Sequence, residues 1–159
     1  MIKVGDRIPS MKVMTGTPDG PKETSTDDVF GAKTVVLFAV PGAFTPTCSV
    51  RHLPGYLQNI EALKAKGVDT VACLAVNDAF VMAAWARDQE VDGQMLMLAD
   101  GSGAFTRALG LELDLSARGM GIRSQRYAMV AKDGVVQSLA VESPGGFEVS
   151  KVESVLAAL

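Results

Sequence analysis

Residues 34–40 read Thr-Val-Val-Leu-Phe-Ala-Val, a run without a charge, bounded by Lys33 on one side and Pro41-Gly42 on the other. Its apolar residues do not alternate with polar ones, so both faces of the strand it forms must be covered. Such a strand needs a layer of structure on each side, and the chain supplies candidates for both. Residues 69–76 (DTVACLAV) repeat the pattern and residues 95–99 form a shorter version. Residues 127–131 and 135–141 flank Lys132-Asp133-Gly134 and read as a hairpin closed by that turn.

Helical stretches lie between these runs. Leu57, Ile60, Leu63 and Lys64 fall on a helical period that stops at Lys66-Gly67, a basic last residue followed by a glycine cap. Asn77 or Asp78 caps a second helix carrying Phe80, Val81, Ala84 and Trp85. A third spans 103–109 before Gly110, and a terminal one places Val152, Val155 and Leu156 on one side. The order βαβαβα followed by ββα describes an α/β protein. It predicts a three-layer α/β/α sandwich with a central mixed sheet, a thioredoxin-like fold, as one domain over 1–159. A chain of 159 residues with 48% hydrophobic and 21% charged residues can bury such a core.

Composition removes several function classes. The formal charge is −3, from 15 Lys+Arg against 18 Asp+Glu, which offers no basic stripe for nucleic acid. No apolar run approaches the roughly 20 residues that cross a bilayer. Cys48, Cys73 and His52 are the only cysteines and histidine, too few for a four-ligand zinc site or a disulfide-stapled scaffold. The start shows no secretory pattern, so a reducing, cytoplasmic setting is expected, or an organelle if a transit peptide has been removed.

The segment richest in chemistry is Pro41-Gly42-Ala43-Phe44-Thr45-Pro46-Thr47-Cys48-Ser49. Thr45-Pro46 reads as a helix start, with Thr45 at the cap and Pro46 at the first position. Cys48 then lies in the first turn, where unpaired N–H groups and the helix dipole favour an anionic sulfur. The turn follows the carboxyl end of a strand, the side on which open α/β sheets bind ligands. Pro54 falls within the helical register and predicts a kink there. Ionisation alone is a limited gain: an ordinary thiol is roughly 3% thiolate at pH 7, so full ionisation is worth about 30-fold. Further rate must come from groups around the sulfur: the Thr45 hydroxyl, the Cys48 N–H and an arginine from elsewhere in the chain.

The spacing Pro-x-x-x-Thr-x-x-Cys, here Pro41, Thr45 and Cys48, resembles the active-site signature of peroxiredoxins. PGAFTPTCS followed by His-Leu-Pro-Gly (52–55) resembles their type II, or peroxiredoxin-5-like, branch. The likeness continues through 64–80, 98–103, 110–115 and 123–134, almost the whole chain. It implies a thiol-dependent peroxidase that reduces hydrogen peroxide and organic hydroperoxides without a metal or organic cofactor. Cys48 matches the peroxidatic cysteine, Thr45 the hydroxyl that holds the peroxide, Pro41 the shield over the pocket, and Arg126 the activating arginine. It also implies a homodimer in which the active-site loops and the start of the 78–85 helix meet their copies, with Phe44, Phe80 and Trp85 only partly buried in one chain.

Other residues carry weaker signals. Arg118 and Arg123 read as solvated charges beside Arg126. Cys73, in mid-strand, reads first as a buried hydrophobe and second as a resolving thiol, which some type II members carry there. The C-terminal stretch 145–150 has no cysteine, where other members keep their resolving one. An external thiol is therefore expected to recycle the enzyme, and the resemblance implies glutathione with glutaredoxin, or thioredoxin, as that thiol. Two alternatives stand beside this reading. One is a redox sensor or interaction protein without efficient turnover; the other is a Cys48–His52 hydrolase, since the two residues are four apart on one helix face.

Overall fold

The computed structural model describes residues 1–159. Its elements run β1 (Lys12–Thr17), β2 (Gly20–Ser25), α1 (Thr26–Phe30), β3 (Thr34–Ala39), a π-turn (Cys48–His52), α2 (Leu53–Gln58), α3 (Ile60–Ala65), β4 (Thr70–Ala75), α4 (Ala79–Asp88), β5 (Leu96–Ala99), α5 (Ala104–Leu109), β6 (Glu112–Leu115), β7 (Gly121–Ser124), β8 (Tyr127–Lys132), β9 (Val135–Val141) and α6 (Val152–Ala158). Seven strands form one sheet in the order β2-β1-β5-β4-β3-β8-β9, and β6-β7 form a separate pair.

The uncharged runs occupy the centre. β3 pairs in parallel with β4 and β4 with β5, while β8 runs antiparallel to β3 and β9 to β8. Because β3 is covered on both faces, its residues divide between two cores. Val36 and Phe38 face one with α2, α3, α4 and α6, through Leu53, Tyr56, Leu63, Met82, Trp85 and Val155. Val35, Leu37 and Ala39 face the other with α1 and α5, through Phe30, Phe105 and Leu109. This is the expected three-layer α/β/α sandwich with a mixed sheet.

Three differences from the sequence reading have local causes. The hairpin β1-β2 extends the sheet beyond β5, with Met14 and Thr15 antiparallel to Ala99 and Leu98. β2 is the polar edge GPKETS with no buried residue, so no apolar run marks it. At Gly16, α4 approaches so closely that a Cβ would stand 2.6 Å from the Ala83 nitrogen. The helix read as continuous over 57–66 divides at Asn59, whose φ and ψ of −117° and 17° leave the helical region. β6 alternates exposed and half-buried residues and β7 buries only Ser124, so this pair also lacked an apolar signature.

Asp78 caps α4 as expected, its carboxylate accepting from the Val81 N–H at 2.8 Å. Asn77 instead accepts from the Ala43 N–H at 3.0 Å, tying the turn after β3 to the end of β4.

Candidate active site

The turn after β3 is made by local constraints. Phe44 adopts a left-handed φ of 64°, and the Thr45 hydroxyl donates to the Gly42 carbonyl at 2.7 Å. The helix begins at Pro46, and the Ser49 N–H closes its first turn on the Thr45 carbonyl at 2.9 Å. Thr45 thus stands at the start of the helix as expected, but its hydroxyl braces the turn and does not cap a helical N–H. Cys48 occupies the third helical position, where a backbone N–H has no intrahelical acceptor.

Beyond Cys48 the helix widens. The Leu53 N–H reaches back five residues to the Cys48 carbonyl, making Cys48–His52 a π-turn. Pro54 explains it: proline has no N–H for the Val50 carbonyl, and its ring would press on that carbonyl in a regular α-turn. The expected irregularity is present, as an inserted wide turn ahead of the proline.

The Cys48 sulfur is fully buried. Arg126, immediately before β8, donates from Nη2 to the sulfur at 3.1 Å. Its Nη1 donates to Nδ1 of His52 at 2.8 Å, and Nε2 of His52 lies 3.1 Å from the Ser150 carbonyl. A carbonyl only accepts, so Nε2 carries the proton and Nδ1 is the bare acceptor for the guanidinium. The Tyr56 hydroxyl donates to the same carbonyl at 2.7 Å. Burial, helped by the Arg126 charge and opposed by the Ser150 bond, takes the His52 pKa down to about 3. A neutral imidazole is the form this chain of bonds requires. Phe38 and Tyr56 wall it in, their rings stacked 4.1 Å apart and the Phe38 ring 4.9 Å from that of His52.

This geometry removes the hydrolase alternative. Both nitrogens of His52 are engaged, one by Arg126 and one by Ser150, and neither bonds Cys48. The helix register brings Cys48 and His52 to opposite ends of one guanidinium. The part played by His52, invisible as a sequence signal beyond its spacing, is to hold the arginine.

Of the remaining candidates, Pro41 follows β3 half-buried at the head of the turn. Arg123 lies against the outside of that turn: its Nε donates to the Met120 carbonyl at 2.9 Å, and Nη1 stands 3.0 Å from where a Cβ on Gly42 would be. Arg118 is exposed. Cys73 is fully buried in β4, between Phe38 and Met97 on the neighbouring strands, in the same core as Cys48. Burial, with Cys48 nearby, pushes its thiol well up. Both cysteines are free thiols. Phe44 and Phe80 are exposed, 52% and 71%, and Val50 joins them at 72%. Trp85 corrects the expectation of partial burial: it is fully buried, its indole N–H donating to the Ser49 hydroxyl at 3.0 Å. Placed on the inward side of α4, it belongs to the core that supports the Cys48 turn.

Redoxin is the family whose pattern matches this chain, over residues 3–156. Peroxiredoxin-2C of Oryza sativa subsp. japonica is 47% identical over 161 residues, covering 99% of this chain and 98% of the relative. The chain belongs to the type II peroxiredoxins. As a peroxiredoxin it is a thiol-dependent peroxidase with a thioredoxin-like fold. Peroxiredoxin-2E of Arabidopsis thaliana, a chloroplastic protein, is 44% identical over 162 residues, covering 99% of this chain and 69% of the relative. Among solved structures, reduced Prx3 of Vibrio vulnificus in complex with hydrogen peroxide is 52% identical, with a TM-score of 0.94 and 99% of each chain covered. This peroxiredoxin contains no helix long and apolar enough to cross a membrane.

Proposed function

We propose that Cys48 is the peroxidatic cysteine and that Thr45, Arg126 and the Cys48 N–H form the site in which it works. The observation that carries this reading is the Arg126 guanidinium 3.1 Å from a buried sulfur, held there by a neutral histidine. In the reaction the thiolate sulfur attacks the distal oxygen of the hydroperoxide. An S–O bond forms as the O–O bond breaks, sulfur is oxidised by two electrons, and the leaving oxygen takes a proton as water or an alcohol. Negative charge moves from sulfur to the leaving oxygen, so the Arg126 guanidinium and the Cys48 N–H, donors already in place, lower the barrier without reorganising. The Thr45 oxygen, its proton given to Gly42, accepts from the hydroperoxide O–H. Pro41 shields the sulfur at the head of the turn.

A thiol from outside the chain then attacks the sulfenic sulfur, releasing water and leaving a mixed disulfide that a second thiol reduces. Cys73 supports this choice by its setting: it is fully buried in the middle of β4, where burial disfavours the thiolate that would have to attack the sulfenic sulfur. Glutathione with glutaredoxin, or thioredoxin, is the reductant we assign. That setting is the cytoplasm, or an organelle such as the chloroplast named for the Arabidopsis relative. Treating the reduced protein with hydrogen peroxide and a sulfenic-acid trap should label Cys48 and leave Cys73 unlabelled by mass spectrometry. Labelling at Cys73 alone, or no labelling, would refute the assignment.

We also assign a homodimer through the exposed ring of Phe44, Val50 and Phe80. Sedimentation should show twice the 16.7 kDa chain mass, and Phe80→Ser should weaken the assembly. A monomer at tens of micromolar would refute it.

A further inference from the structure

Glu142 follows the last residue of β9, and its N–H donates to the Arg126 carbonyl at 2.9 Å. Its side chain is buried. One carboxylate oxygen, Oε2, accepts three hydrogen bonds: from the Glu148 N–H at 2.8 Å, the Ser150 N–H at 2.8 Å and the Ser150 hydroxyl at 2.6 Å. No cation pairs with it. Burial would push this carboxyl up, but the bonds from Ser150 and Glu148 outweigh it and hold the group below the usual carboxylate range. A buried anion satisfied entirely by backbone and one hydroxyl is the anchor of the strap 143–150.

Two contacts of that strap converge on the arginine of the site. The Ser150 carbonyl receives both His52 and Tyr56. The Phe147 ring stands edge-on to His52 at 5.1 Å and lies 5.9 Å from the Arg126 guanidinium. A carboxylate that only closed a loop would not need its bonds to fall on the residue whose carbonyl sets a histidine tautomer.

We propose that Glu142 is a positioning residue for the peroxidase reaction, clamping the strap so that the Ser150 carbonyl fixes the His52 tautomer and His52 aims Arg126 at the Cys48 sulfur. The physical need is plain. An arginine side chain has many rotamers, and it stabilises a transition state well only if it is already aimed. If Ser150 withdraws, His52 is free to protonate Nδ1 and present a second donor to the guanidinium, which repels it. The inference rests on the proposed roles of Cys48 and Arg126.

The test measures the second-order rate of Cys48 oxidation by hydrogen peroxide in Glu142→Ala and Glu142→Gln, each with Arg126 intact and with Arg126→Ala. Glu142→Ala should slow oxidation on the order of tenfold, the scale of one lost charge-assisted bond in a relay. Glu142→Gln retains a carbonyl acceptor for the strap and should recover the rate to within about threefold. In the Arg126→Ala background, Glu142→Ala should cost less than about twofold more, because the group it positions is gone. Nitrogen NMR of the His52 ring should show a single tautomer in the native protein and a mixture in Glu142→Ala. If the alanine variant does not fold, Glu142→Asp, which keeps the charge but shortens the reach, takes its place with the same expectations. An unchanged rate in folded Glu142→Ala, or in Glu142→Asp where that variant replaces it, or an equal loss with and without Arg126, overturns the proposal. Native protein inert to peroxide would instead overturn the peroxidatic assignment of Cys48, and the inference with it.

Discussion

Two regions of one core each carry a buried cysteine, and the contrast between them lies in the polar groups that each sulfur meets. The turn bearing Cys48 and the strand bearing Cys73 contribute to the same face of the sheet, and each sulfur is fully buried. Burial is therefore not the difference. Cys73 lies in mid-strand among apolar neighbours with no donor to its sulfur, and burial disfavours its anion. Cys48 receives a guanidinium N–H and has its own backbone N–H free at a helix start. On the proposed assignment of Cys48, the identity of the nearest polar group, fixed by secondary structure, decides which sulfur does chemistry.

The contrast breaks most easily at the cysteines themselves. Cys48→Ser should abolish peroxide turnover, whereas Cys73→Ser should retain most of it when an external thiol is supplied, with a mixed disulfide at Cys48 visible by mass spectrometry. A dominant Cys48–Cys73 disulfide together with lost turnover in Cys73→Ser would erase the distinction. Next in size, Arg126→Ala should slow Cys48 oxidation by about two orders of magnitude, the scale for one transition-state donor. Arg123→Ala, which touches the turn from outside, should cost much less; equal losses in stopped-flow traces would mean the wrong arginine has been chosen. Thr45→Val removes the hydroxyl that braces the turn through Gly42 and should slow the reaction roughly tenfold, with smaller effects on stability.

The smallest effect concerns pH. His52 titrates at about 3 in the folded chain against 6.5 for the ordinary residue. Between those values the unfolded chain binds a proton that the folded chain refuses, so stability falls as pH drops below 6.5 toward 3. The limit is roughly a tenfold rise in the unfolding equilibrium per pH unit. His52→Gln keeps one acceptor and one donor but cannot titrate, and its urea midpoint should vary less between pH 6.5 and 5. Equal slopes for both proteins would assign the acid sensitivity to other groups.

Legibility in the sequence followed the range of the physics involved. Pro41, Thr45 and Cys48 lie within one turn, so their types and spacing announce a helix start with a sulfur in it. The central strands were equally plain, because a strand covered on both faces has no polar positions. Arg126 is 78 residues from Cys48, and only its place beside a strand and the family likeness singled it out. His52 was singled out only by its four-residue spacing from Cys48, since nothing local shows that its partner is an arginine. Ser150 acts through a backbone carbonyl, which every residue type possesses, so no side-chain pattern could have marked it. The polar strand β2 and the half-exposed pair β6-β7 were missed for the same reason: their order comes from neighbours across space.

The contact between the Trp85 indole and the Ser49 hydroxyl has an optical consequence. Trp85 is the only tryptophan in the chain, and its N–H touches the residue next to Cys48. Should that first turn rotate on oxidation, the polarity and hydrogen bonding around this one indole would change, and selective excitation of the indole keeps Tyr56 and Tyr127 out of the signal. Indole emission followed through peroxide addition is then expected to report the cycle, and to lose that response in Ser49→Ala if the hydroxyl contact is its source.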